Sequence, residues 1–193
     1  MLMTFTRYRT MDLCLFTCLL CVCEAVIVLA SSVWFPREPY MLSLTPAIVS
    51  VVMVRWGAYA AVPAVAGGLT LCLCSGAQPW QYLIYCAGNL LALALVPFLK
   101  KVTWRALHRQ VLLALAYGMA TALLMQTGRA AIAWLGGMPI GTCAGFVTTD
   151  VLSLLFSALI VFICRRLDGM LEEQKHYVKR IREEMLRAGG MHE

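Results

Sequence analysis

The fold class predicted by the sequence is an all-α integral membrane protein, a bundle of six transmembrane helices followed by a cytoplasmic amphipathic helix. Three observations predict it. Of 193 residues, 61% are hydrophobic and 13% charged, with a mean hydropathy of +0.78, far from the balance of a water-soluble domain. Apolar runs long enough to cross a hydrocarbon core, roughly 17 to 25 residues as a helix, recur along the chain. Basic residues gather in every second connection between those runs.

The first run, 12–32, holds Glu24 and outlasts the apolar core of a signal peptide. Although "VLASS" near its end offers small residues, it is read as a retained span. A short second run covers 39–54, a third 57–75 and a fourth 80–99. After a basic loop the fifth covers 110–125, and the sixth covers 146–164. Between them 130–145, containing "AIAWLGGMPIGTCAG", is apolar but broken by Gly and Pro, which predicts a loop or half-helix at the membrane surface. The chain thus divides into a membrane domain, 1–166, and a tail, 167–193.

Charge orients the spans. Arg7 and Arg9, Arg55, the loop "KKVTWRALHR", and Arg165 with Arg166 all fall on one side, against Arg37 and Arg129 on the other. The positive-inside rule then puts both termini in the cytoplasm, with the protein multi-pass in the cell membrane. The net charge of +6 reads as a topology signal, and no nucleic-acid partner is invoked.

Nine cysteines invite a metal or disulfide reading that their positions oppose. Cys14, Cys18, Cys21, Cys23, Cys72, Cys74, Cys86 and Cys164 fall within spans, and Cys143 alone in an outer loop. Residues two apart on a helix point to different faces, so the Cys21/Cys23 and Cys72/Cys74 pairs read as packing, where cysteine acts as a small hydrophobe. No cofactor is expected. HExxH, GxSxG and paired-carboxylate patterns are absent from the sequence, and a non-enzymatic protein is the reading.

The third span begins "RWGAYAAVPAVAGG". Gly57 and Ala61 are four apart, as are Ala60, Ala64 and Gly68, a small-residue stripe of the kind that lets helices approach closely in lipid. It serves either packing within the bundle or docking of another membrane protein, and Ala60, Ala64 and Gly68 are the candidate docking residues. Pro63 is placed to kink this helix. Arg55 and Trp56 read as an interfacial pair, one snorkelling and one in the aromatic belt.

The outer side supplies rings and charges: Trp34, Arg37, Glu38, Tyr40, Trp80, Tyr82, Arg129, Trp134 and Asp150. Rings give contact area and charges fix orientation, which suits a pocket for a planar or anionic solute; an ordinary aromatic belt has the same composition. Polar groups inside spans are costly to bury and so more telling. Asn89 lies near the middle of the fourth span, Asp150 opens the sixth, and Glu24 lies past the middle of the first, as either a functional or a structural group. The candidate substrate-binding residues are Trp34, Arg37, Trp80, Tyr85, Asn89, Arg129 and Asp150.

Beyond Arg165 the pattern changes. Leu167, Leu171, Gln174, Val178, Ile181 and Met185 recur at spacings of three and four, with Glu172, Glu173, Lys175, Lys179, Arg180, Glu183 and Glu184 on the other faces. This predicts an amphipathic helix with a heptad-like seam.

The succession of an N-terminal span, a short outer loop, "RWGAYAAVPAVAGG" and "SGAQPWQYLIYCAGNLLALALVPFL" resembles the substrate-binding S component of an energy-coupling factor transporter, over roughly residues 11–166. The resemblance implies six helices, capture of a vitamin or other micronutrient from outside, and work with a transmembrane coupling protein and two ATPase subunits. No GxxxxGK[ST] phosphate loop is present, so energy would come from those partners. Where the family meets its coupling protein through alanines four apart in the first helix, this chain has Cys14 and Cys18, with Ala25 and Ala30 five apart. The stripe Ala60, Ala64 and Gly68 could serve that purpose instead. The charged tail departs from the family and supports the alternative of a small membrane adaptor or sensor.

Overall fold

A computed structural model describes residues 5–35, 42–101, 104–167 and 169–189, and all regular structure among them is helical. Five helical stretches are long and apolar enough to cross a membrane: Phe5–Trp34, Thr45–Cys74, Pro79–Lys100, Val111–Leu135 and Ile140–Cys164. The chain is an all-α bundle of membrane-protein character.

Helix α1 is Phe5–Trp34, thirty residues without a glycine or proline to interrupt it. One face leaves Leu15, Val22, Val26 and Leu29 exposed, an apolar surface that lipid would cover. Helix α2, Thr45–Trp56, carries Pro46 in its first turn, where the missing N–H has no helical partner to lose. It ends at Gly57, whose φ of +61° is open to glycine at little cost.

A 3-10 turn, Gly57–Ala60, leads into α3, Ala61–Cys74. By length 45–74 passes for one span, yet it doubles back: the Thr45 side chain fills the space where Gly67 would carry a Cβ. Residues so close in space cannot lie at opposite ends of one straight helix. The stretch is therefore a hairpin of two legs.

Helix α4, Pro79–Asn89, starts at a capping box in which the Gln78 N–H donates to Gln81 Oε1 at 2.8 Å, satisfying a donor that the first turn leaves unpaired. A 3-10 stretch, Leu90–Leu95, joins it to α5, Val96–Lys101. The short α6, Trp104–Arg109, then leads into α7, Val111–Leu135. Beyond a glycine turn, α8, Ile140–Thr148, and α9, Val151–Cys164, return along α7 as one leg broken at Thr149 and Asp150. The return is antiparallel: Cys143 packs near Ala133, and the Ser157 hydroxyl donates to the Gly118 carbonyl at 2.9 Å.

Helix α7 is the hub, packed against α2, α4, α8 and α9. The main core gathers around Val49, Val52 and Met53 of α2, Tyr117 and Met125 of α7 and Val161 of α9. Where α4 crosses α7 the backbones nearly touch, and a Cβ on Gly128 would strike the Gly88 carbonyl. Absence of side chains at such crossings lets dispersion act between backbones, the principal attraction open to helices in lipid.

Several expectations change. The fifth span runs to Leu135 rather than 125, and most of 130–145 is helix, because its Gly-Gly-Met-Pro break is short enough for a tight turn. Cys143 is buried in α8 instead of lying in an outer loop. The tail is no continuous helix from 167: Gly169, at φ +71°, turns the chain, and α10 covers only Gln174–Gly189. Arg55 does not snorkel and Trp56 is no belt residue, since Asp12 draws both inward.

Candidate functional site

Two polar clusters are buried in the bundle, one toward each end. The first joins the starts of α1 and α10 to the end of α2. Arg55 forks onto Asp12, with Nε donating to Oδ2 at 2.9 Å and Nη2 to Oδ1 at 2.8 Å, while its Nη1 donates to the Gly169 carbonyl at 2.6 Å. The Trp56 indole N–H adds a third donor to Asp12, at 2.6 Å. Tyr8 donates to Gln174 Oε1, and Gln174 Nε2 donates back to Gly169. Arg9, Arg55, Lys100 and Lys175 line a single recess here. This is the basic end of the molecule.

The second cluster forms where α1, α4, α7 and α9 meet the start of α2. Arg129 of α7 donates from Nε to Asn89 Oδ1 at 2.9 Å and from Nη1 to Asp150 Oδ2 at 3.2 Å. Its guanidinium also lies over the Tyr85 ring, 4.9 Å from the centroid, a cation–π contact strengthened by exclusion of water. Asn89 returns a bond from Nδ2 to the Ala64 carbonyl at 2.9 Å. Asp150 is held by the Ser153 hydroxyl, and Ser153 Oγ in turn accepts from the Ser43 N–H. Glu24 accepts at Oε2 from the Leu44 N–H at 3.0 Å and lies within electrostatic reach of Arg129 and Asp150.

Four of the seven predicted binding residues therefore come together: Tyr85, Asn89, Arg129 and Asp150. The other three do not join them. Trp34 is an exposed residue on the wall of an apolar recess of about 500 Å³ with Ile27, Leu42 and Leu152. Trp80 is exposed and caps the turn after α7, its ring occupying the space beside Gly136. Arg37 lies outside the described residues.

Ala60, Ala64 and Gly68, read as a docking stripe, are buried within the bundle. A Cβ on Gly68 would meet the Tyr85 carbonyl at 2.9 Å, so α4 occupies the face offered to a partner. Small residues mark a close crossing without saying which helix crosses there.

Three members of the second cluster went unread in the sequence: Gln126, Ser43 and Ser153. Gln126 Nε2 donates to the Asp150 carbonyl at 3.0 Å. A signal existed for two of them, since Gln126 precedes Arg129 by three positions and Ser153 follows Asp150 by three, a spacing that shares a helix face.

A polar mouth adjoins this cluster. Tyr85 lines a recess of about 450 Å³ between α3 and α4, together with Ser75, Gln78 and Gln81. Tyr85 thus borders the recess while its ring meets the buried guanidinium. Such a setting can seat a polar or planar solute on an aromatic ring and orient it by amide groups. Among the described residues no group of three or more His, Cys, Asp or Glu stands together to hold a transition metal.

Comparisons with protein-family models, with curated proteins and with solved structures find no match to this chain.

Proposed function

We propose that the chain is the solute-capturing membrane subunit of an ATP-driven uptake transporter for a vitamin or similar micronutrient, akin to the S component of an energy-coupling factor system. The observation that carries this reading is the buried cluster of Asn89, Arg129 and Asp150 with Tyr85 at its mouth. Ionisable groups buried inside an apolar bundle mark solute or ion pathways by default.

In this reading the legs α1, α2, α3, α4 with α5, α7, and α8 with α9 make six crossings. The basic end, where α1 and α10 begin, faces the cytoplasm under the positive-inside rule, and the Arg129 cluster opens outward. Binding rather than catalysis is the role, and energy comes from a separate coupling protein with two ATPase subunits. A docking face for that coupling protein is supported best by the exposed apolar side of α1. An adaptor working through α10 is the second reading, favoured by the exposed Lys179 and Glu183 along that helix.

Native mass spectrometry of the protein purified from its own host tests the two. The uptake reading expects a small molecule together with coupling and ATPase subunits. It further expects Arg129→Lys, which loses the planar fork but keeps the charge, to weaken solute retention at least tenfold. A solute-free protein whose partners are lost on removal of α10 would replace it with the adaptor reading.

A further inference from the structure

The Arg129 cluster holds more negative than positive charge. Glu24 and Asp150 bring two carboxylates and Arg129 one guanidinium, all at most 4% exposed; the α2 side adds only the neutral Ser43, Leu44 and Thr45, and α4 the neutral Asn89. Arg129 directs Nε to Asn89 and Nη1 to Asp150. One buried carboxylate is left without a counter-charge, an unfavourable state in a closed interior unless something neutralises it.

Two atoms say where a counter-charge belongs. Glu24 Oε1 and Gln126 Oε1 are buried without a hydrogen-bond partner, on side chains 0% and 1% exposed. Neither is loose: Glu24 is pinned through Oε2 by the Leu44 N–H with the Ser43 hydroxyl beside its carboxylate, and Gln126 through Nε2 by the Asp150 carbonyl. Each group uses one of its two polar atoms to hold position and leaves an acceptor oxygen open. Orphan acceptors in a closed interior call for a donor or a cation, because another acceptor cannot satisfy them.

We propose that Glu24 and Gln126 form a monovalent-cation site, with Glu24 supplying the charge and Gln126 a neutral oxygen. All available ligands are oxygens, from a carboxylate, an amide and nearby hydroxyls, which suits a hard alkali ion or the N–H donors of a protonated amine. A doubly charged ion would leave the cluster with surplus positive charge. Both groups border Asp150, Gln126 through its bond to the Asp150 carbonyl and Glu24 through the Ser43–Leu44 segment that bonds Ser153, and the site stands whether or not the protein carries a micronutrient.

The test follows thermal unfolding of the full chain in detergent, read through its five tryptophans, in NaCl, KCl, methylammonium chloride and tetraethylammonium chloride at one ionic strength. A rising midpoint in sodium, potassium or methylammonium, with no rise in tetraethylammonium, which is bulky and has no N–H, is the expected result. A response to sodium or potassium identifies an inorganic ion; a response to methylammonium alone identifies an amine head group. Glu24→Gln should abolish the rise, and Gln126→Leu should shift half-saturation at least tenfold, while Glu173→Gln at the basic end leaves it intact. Equal midpoints in all four salts, or an unchanged response in Gln126→Leu and in any folded Glu24→Gln protein, would overturn the proposal.

Discussion

The two buried clusters are built from similar parts and closed to different degrees. At the basic end one carboxylate, Asp12, meets one guanidinium, Arg55, and its oxygens accept from Arg55 and Trp56. Arg55 also reaches the Gly169 carbonyl, which fastens the turn before α10 to the bundle. At the other end two carboxylates stand with one guanidinium, which bonds Asp150 alone of the two, and Glu24 and Gln126 each keep an open oxygen. Charge balance and satisfied donors make the first a clasp. Surplus charge and open acceptors are what single out the second for the proposed binding role.

The largest expected effect lies in the clasp. Asp12→Ala strands the Arg55 guanidinium in the interior, and breaking a buried pair by removing one partner costs about 3–5 kcal/mol. The folded, monodisperse fraction and the thermal midpoint should both fall sharply. Removing both charges, as in Asp12→Ala with Arg55→Leu, should recover much of the loss, since no uncompensated charge remains. Glu24→Gln should behave differently and change basal stability by less than about 1 kcal/mol, because it relieves excess charge instead of creating it. If Glu24→Gln destabilises the protein as much as Asp12→Ala, the contrast between clasp and site disappears.

A middle-sized effect belongs to the crossing that holds Arg129 in place. Gly128 abuts the Gly88 carbonyl, so Gly128→Val must push α4 from α7. Overpacking of this kind costs typically about 1–3 kcal/mol. Asn89 is on α4 one residue from Gly88, and Arg129 is on α7 one residue from Gly128. The same displacement therefore stretches the Arg129 to Asn89 bond. Thermal unfolding should report a lowered midpoint, and solute retention should fall with it. A variant that loses stability while retaining solute in full would separate the crossing from the site.

Much of the fold was legible because burial in lipid writes itself as long apolar runs. The all-helical class and the reversal near Arg55 came from run length and from the charge of Arg55 between two apolar runs. Boundaries were harder. The run ending at 125 continues as helix to Leu135 because Gln126 and Arg129 are polar for the interior's sake and the exposed Thr127 bonds back to the Leu123 carbonyl of its own helix, whereas a hydropathy reading treats polar residues as an exit from the membrane. The same blindness made Arg55 an interfacial residue: its partner, Asp12, is forty-three positions away, and no local pattern announces it.

In the site, Asn89 and Asp150 were legible as costly polar groups within spans, Arg129 as a charge of the outer side, and Tyr85 among the candidate binding residues. Trp34 and Trp80 were selected by the same aromatic logic, which cannot tell a ring over a guanidinium from a ring over a glycine. Glu24 could not be assigned because its role depends on which atoms nearby are already satisfied. That is a property of three-dimensional packing alone.

The smallest expected effect tests the aromatic logic directly. Trp34 is exposed at the end of α1, and its recess is lined by Ile27, Leu42 and Leu152 with no member of the Arg129 cluster among its walls. Trp34→Ala removes an exposed ring and should change stability by no more than about 0.5 kcal/mol, the ordinary range for surface positions. It should leave the cation response and solute retention unchanged. Tyr85→Ala, at a ring in contact with the Arg129 guanidinium, should lower solute retention, because Tyr85 lines the polar recess and its ring covers the buried charge. Equal losses for the two variants would extend the site to the apolar recess beneath Trp34, and the ligand would then need an apolar body large enough to reach it.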